Sequence, residues 1–346
     1  MTDFQLGLTA IGVLAVAAVL AFNKWQERAS RREAQAAFRS HHPDVLLDAT
    51  PEPAARVEPG LGAVPPRPAR APDPSLAGIA LPDARIDYVL ELRAGRPIAG
   101  HALIQGWAPA EHRFAQRALF AGSSGDSWQA CNPEGQYTSV RAALQLVNRR
   151  GLVSDGELLE FRAEIDTLAA RLGASVGAPE MAQALERGRM LDQLCADTDI
   201  QVVVHVVPGE RGRFAAATVC RVAESAGLLP GRDGRYALRE ADDRERYGLY
   251  DRSGAPLGEN PGDSCQALSL AMDVPRVPDT ARSFESMARL AQALATALGG
   301  RLVDDNDRAL DEKSLAAIGR QLDAVGKQLE AQGIAPGSAL ALRLFS

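Results

Sequence analysis

Three groups of residues have side chains able to do chemistry: four cysteines, five histidines and an acidic run near the C-terminus. Cys131, Cys195, Cys220 and Cys265 are far apart and form no CxxC or Cys/His pairing at metal-ligand spacing. They read as reduced, mostly buried thiols in a reducing compartment. His41 and His42 adjoin one another with no further ligand nearby, and no histidine has a clear catalytic partner in the sequence. Asp304, Asp305 and Asp307 could attract a cation, but they lack the glycine and terminal glutamate of a calcium loop. A turn with helix-capping carboxylates is the expectation there. No phosphate loop, dinucleotide glycine motif, HExxH or GxSxG occurs. The chain is therefore expected to be no enzyme and to need no metal and no cofactor.

The 346 residues suffice for two or three domains of about 100 to 200 residues each. A net charge of -6 argues against a nucleic-acid partner, which would call for a basic face or stripe. From Phe4 to Phe22 no residue is charged, and a helix of that length would span about 28 Å, close to the hydrocarbon thickness of a bilayer. Only Asp3 carries charge before the run, and no small-residue cleavage site follows it, so a secretory signal is disfavoured. A buried core helix is the alternative, although one of this length would usually carry polar positions. Lys24, Arg28, Arg31, Arg32 and Arg39 all follow the run, which places the N-terminus outside and the rest of the chain in the cytoplasm.

Beyond this basic collar, ten prolines between Pro43 and Pro82 interrupt any apolar period. Such a segment buries too little surface to offset its ordering entropy and reads as a disordered tether. The island HPDVLLD within it is either a short docking motif or a chance cluster.

From Arg85 onward regular elements appear, and they read either as an internal repeat or as the strand-then-helix texture that any α+β domain shares. IDYVLEL (86–92) and IQVVVHVV (200–207) each open a unit, and AALQLVN and ALSLAMDV are later strands of each. Leu158, Phe161, Ile165, Leu168, Leu172 and Gly173 correspond, at one constant offset of 126, to Phe284, Met287, Ala291, Leu294, Leu298 and Gly299. Steps of three and four make one buried stripe per helix, and the closing glycine suits a left-handed cap. The expected fold is α+β: an N-terminal transmembrane helix and a Pro-rich linker, then two tandem units of mostly antiparallel sheet with helices on one face. The expected boundaries are 1–23 for the anchor, 24–42 for the basic segment, 43–84 for the linker, 85–198 for the first unit and 199–346 for the second. An antiparallel sheet can leave its other face open. Trp107, Trp128 and Tyr137 in the first unit are either core residues or the mark of a second docking surface.

ALSLAMDVP, closing on Val274 and Pro275, and LGGRLVDDNDRALDEKSL resemble the ZipA family of bacterial cell-division proteins. The likeness covers the anchor, the collar, the tether and the second unit to about Gly333, and the first unit looks like a degenerate copy. The resemblance implies a split β-α-β fold and a membrane anchor at the division site. It implies a partner, the C-terminal tail of the division polymer FtsZ, held on the sheet face away from the helices. The implied location is midcell, single-pass in the inner membrane with the bulk of the chain cytoplasmic.

Carried over strand by strand, the implied partner-binding positions are Val202, Val204 and Val206 on the first strand and Arg235 and Ala237 on the second. Tyr250 and Arg252 on the third, with Ser269, Ala271 and Asp273 on the fourth, complete the set. Alternation supports the fourth strand, sending Leu268, Leu270, Met272 and Val274 toward the helices. On the first strand the same choice points His205 inward, and a slip by one residue would exchange the faces. The implied face is more polar and basic than the family's methionine- and aromatic-rich groove. Its arginines read either as solvated charge or as partners for acidic residues of a tail. The rival function is an inner-membrane receptor or scaffold whose two units bind another division or envelope-synthesis partner or a small ligand.

Overall fold

The computed structural model describes residues 80–346, except 126, 210–211 and 259–262. The expected anchor, the basic segment, the linker through residue 79, the HPDVLLD island and the pair His41 and His42 lie outside the described residues. Among the described residues no helix is long and apolar enough to cross a membrane. Residues 81–84, expected in the linker, are tied to the first unit. Arg343 donates to the Leu81 carbonyl at 3.4 Å, and the Asp83 N–H donates to Asp87 Oδ2 at 2.7 Å.

In the first unit, strand β1 (Asp87–Ala99) runs into helix α1 (Gly100–Phe114), then strands β2 (Ala118–Ser123), β3 (Trp128–Ala130) and β4 (Gln136–Gln145). Helix α2 (Asp155–Leu172), strand β5 (Ala174–Gly177) and helix α3 (Met181–Thr198) follow. The sheet order is β3-β2-β4-β1-β5, with every pair antiparallel. On β1, Tyr88, Leu90 and Leu92 are fully buried in the core beneath the helices, and the pleat sends Val89, Glu91 and Arg93 to the opposite face. Trp107 sits in that core, its ring 4.9 Å from Phe120 and 6.0 Å from Phe161. Tyr137 is buried there too, whereas Trp128 lies partly exposed against Arg141.

In the second unit, strand β6 (Gln201–Pro208) is followed by helix α4 (Ala216–Ser225) and strands β7 (Leu229–Pro230), β8 (Tyr236–Arg239), β9 (Glu245–Asp251) and β10 (Leu268–Asp273). Helix α5 (Thr280–Leu298), strand β11 (Gly300–Val303), helix α6 (Glu312–Ala331) and helix α7 (Ala339–Leu344) complete the chain. The sheet order is β7-β8-β9-β10-β6-β11, again antiparallel throughout.

Both sheets share one plan. The order β2-β4-β1-β5 matches β9-β10-β6-β11, with α1, α2 and α3 standing in the chain where α4, α5 and α6 stand. The two long helices repeat in detail. Leu158, Phe161, Ile165 and Leu168 are buried on α2, as Phe284, Met287, Ala291 and Leu294 are on α5. Both helices end on a left-handed glycine, Gly173 at φ 65° and Gly299 at φ 66°, where a side chain would strain the backbone. At its start α2 carries a capping box: Ser154 Oγ accepts from the Glu157 N–H at 3.2 Å, and Glu157 Oε2 accepts from the Ser154 N–H at 2.9 Å.

The last residues of the second unit leave it. Leu329, Ile334, Ala341, Leu344 and Phe345 are buried in the hydrophobic core of the first. Arg343 on α7 forms a buried ion pair with Asp87 at 2.5 Å, and the amide of Gln145 donates to the Arg343 carbonyl at 2.9 Å. Arg149, between β4 and α2, donates to Asp199 at 2.6 Å and to Asp273 at 2.8 Å. Burial works against the Arg149 charge, but the hydrogen bonds to Asp199 and Asp273 more than offset it and its pKa is raised. The two units therefore form a single compact body.

Candidate partner-binding face

The helices of the second unit cover one side of its sheet. Val204, Val206, Leu249, Leu268, Leu270 and Met272 pack there against Val219 of α4, Phe284 and Met287 of α5 and Leu322 of α6. Among the described residues the opposite side carries no helix of that core, and strand register fixes what it presents. Leu229, Ala237, Gly248, Ala271 and Val203 stand side by side in one row across five strands. The next row holds Tyr250, Ser269 and His205. The first row is a shallow floor of small side chains, with Leu229 at its edge 59% exposed.

Seven of the ten sequence-derived positions lie on or at the rim of this face: Arg235, Ala237, Tyr250, Arg252, Ser269, Ala271 and Asp273. The Arg235 guanidinium stands over the Tyr250 ring at 5.2 Å. Burial pushes the Tyr250 phenol up, with Arg235 pulling it the other way, so the hydroxyl stays a neutral donor. Arg252 donates to Asp307 at 2.7 Å, and that contact holds the Asp307 carboxyl below its ordinary range. Asp273 is not free to meet a partner, because Arg149 of the first unit occupies both its oxygens.

The other three positions require correction. Val204 and Val206 are fully buried under the helices and Val202 packs on the same core, so none of them lies on the open face. The residues that do are Gln201, Val203, His205 and Val207, one step out of phase. The reason is the pairing of β6 with β10: Val204 stands opposite Leu270 and His205 opposite Ser269. Val202 to Val204, with Val206 and Val207, are apolar on both sides and give no alternation from which to read the face. His205 was the available signal, since a polar residue on a one-sided strand belongs on the side away from the core.

His205 was missed as a participant, and it organises this end of the face. Its Nδ1 lies 2.8 Å from Ser269 Oγ and its Nε2 lies 2.9 Å from Asp305 Oδ1. Serine, histidine and aspartate in a row are the residue types of a nucleophilic triad. Ser269 is only 1% exposed, however, so a substrate could not reach its hydroxyl. The acidic turn is otherwise built from backbone: Asp304 Oδ1 accepts from the N–H groups of Asn306 and Arg308 at 2.9 and 2.8 Å. The helix cap comes from Asp311, which accepts from the Ser314 N–H at 2.7 Å, and not from Asp304, Asp305 or Asp307.

An antiparallel sheet backed by helices on one side, with small residues and a few aromatic and cationic groups on the other, is the build of a protein-interaction domain. Residues 200–321 match the family model of ZipA, C-terminal FtsZ-binding domain. The likeness to that FtsZ-binding domain of a cell-division family therefore covers most of the second unit. No curated protein matches the chain. The matched span ends within α6, so the first unit and α7 lie outside it.

Proposed function

We propose that this protein is a single-pass inner-membrane tether that grips the C-terminal tail of FtsZ and holds the division ring at the cytoplasmic face. The observation that carries the reading is the helix-free row Leu229, Ala237, Gly248, Ala271 and Val203 within the FtsZ-binding family span. Small side chains let a peptide helix or strand approach the sheet closely, and Leu229 and Tyr250 offer apolar contact at the margins. Arg235 stands beside the row and can meet a carboxylate of the tail. Anchoring is supported by the uncharged run Phe4 to Phe22 and by the basic collar that follows it. Confinement to the membrane, a long tether and repeated weak contacts to a polymer then sum by avidity.

The test uses the full chain in lipid nanodiscs, titrated by calorimetry with a synthetic FtsZ tail peptide. Saturable binding that is lost in Ala271→Arg supports the reading. No heat at high micromolar peptide, or equal binding by that variant, overturns it.

A further inference from the structure

The two sheets share a plan, yet they treat one edge differently. In the second sheet the edge strand β11 is covered by its own chain. Val303 bridges Ala309, and the Leu310 N–H donates to the Leu302 carbonyl at 3.0 Å. In the first sheet the equivalent strand β5 pairs, among the described residues, only with β1, and the chain then turns through Ala178 and Pro179 into α3. The sequence of β5, ASVG, contains no charge, proline or bulge to blunt the edge. Its four residues leave a short row of backbone groups available to an added strand.

Beside this edge lies a cleft of about 620 Å³ on the helix-free face. Val89, Glu91, Arg93 and Arg141 line its floor, and Pro82 and Pro179 contribute to its walls. Glu91 is the one carboxylate among the residues lining it, and it is already engaged by Arg93 at 2.9 Å. Arg141 stands directly across the ladder from Glu91 but makes no hydrogen bond or ion pair among the described residues. Its guanidinium is instead stacked on Trp128, 3.9 Å from the ring centroid. Stacking fixes the plane of the group while leaving its N–H edge for an in-plane acceptor, the geometry that suits a carboxylate. Two cations against one carboxylate leave the cleft with excess positive charge.

We propose that the first unit carries a second docking site, in which an extended acidic peptide adds to the free edge of β5 and turns its carboxylates over the cleft toward Arg93 and Arg141. This site is separate from the face assigned to the FtsZ tail, and each can fail without the other. The backbone ladder would give affinity and the arginines the preference for acidic sequences.

The full chain in nanodiscs tests this with three capped pentapeptides: Val-Glu-Val-Glu-Val, its lysine counterpart, and the glutamate peptide N-methylated at alternate amides. Hydrogen exchange read by mass spectrometry reports on residues 174–177, and calorimetry gives affinity. The expected result is protection of residues 174–177 by the glutamate peptide alone. Affinity should fall by about tenfold or more in the double variant Arg93→Glu, Arg141→Glu, and by less in Arg93→Lys, Arg141→Lys, which keeps the charge but loses the stacked planar fork. Unchanged thermal unfolding of both variants guards against misfolding. Equal binding by the lysine or N-methylated peptide, unchanged affinity in the charge-reversed variant, or no binding at millimolar glutamate peptide overturns the proposal.

Discussion

Arg343 and Asp87, 256 residues apart, form a buried two-point ion pair at 2.5 and 3.1 Å that fastens the end of the chain to the beginning of the first sheet. Their side chains are 7% and 0% exposed. Burial pushes the Asp87 carboxyl up, and the guanidinium with its two hydrogen bonds pulls against that. Such a pair is costly to break from one side, because the survivor is left buried and uncompensated.

Arg343→Ala should therefore lower stability by about 3–5 kcal/mol in urea unfolding, whereas Arg343→Met with Asp87→Leu should cost much less. Deleting residues 339–346 removes Leu344 and Phe345 from the first unit's core as well. At about 1.5–3 kcal/mol for each large apolar side chain, hydrogen exchange should rise in β1 and β4, far from the deleted segment in sequence.

Val203 and Val204 are neighbours on β6 with opposite duties. Val204→Ala should cost about 2–4 kcal/mol of stability, since Val204 lies fully within the core. Val203→Arg should leave the melting temperature within about 2 °C while weakening tail binding by about tenfold, about 1.4 kcal/mol. Calorimetry and thermal unfolding of both variants separate the two outcomes, and the reverse pattern would restore the uncorrected register.

The capping box of α2 gives a pH dependence of definite sign. Bonds from the Ser154 N–H and hydroxyl hold the Glu157 carboxyl below its ordinary value of 4.5. A carboxylate lowered by folding contributes stability that is present above its unfolded pKa and lost as pH falls through the folded one. The stability difference between the parent chain and Glu157→Gln should be full at pH 6 and shrink between about pH 5 and 3. Ser154→Ala should cost about 1 kcal/mol at neutral pH.

The thiols are expected to be sluggish. Burial pushes Cys131 and Cys195 up to about 12 and Cys265 up to about 11. Because the thiolate is the reactive form, native labelling at pH 8 should be slower than for a free thiol by about two to three orders of magnitude. Stopped-flow labelling in buffer and in denaturant reads the ratio at each site.

Much of the fold is legible locally. The stripe on α2 and α5 follows from helical spacing, and the paired glycines mark both ends because only a residue without a side chain takes that turn cheaply. On β10 the alternation of Leu268, Leu270 and Met272 with Ser269 and Ala271 names the buried side directly. Leu229 was invisible as part of the face, because it lies on a two-residue strand that only pairing with Ala237 brings into the row.

The helices, their caps and the tandem α+β texture are written in local patterns, because they depend on neighbours within one or two turns of chain. Pairing with β10 settles which side of β6 faces outward: the valines are apolar on both sides, and His205 is the one local signal that agrees with the observed register. Only the tertiary structure decided the ties that join the two units. Arg149 to Asp273 and Arg343 to Asp87 span 124 and 256 residues, and no local pattern states that such distant charges meet. The edge of β5, unpaired among the described residues, was likewise unreadable, because an edge is defined by which strands arrive beside it.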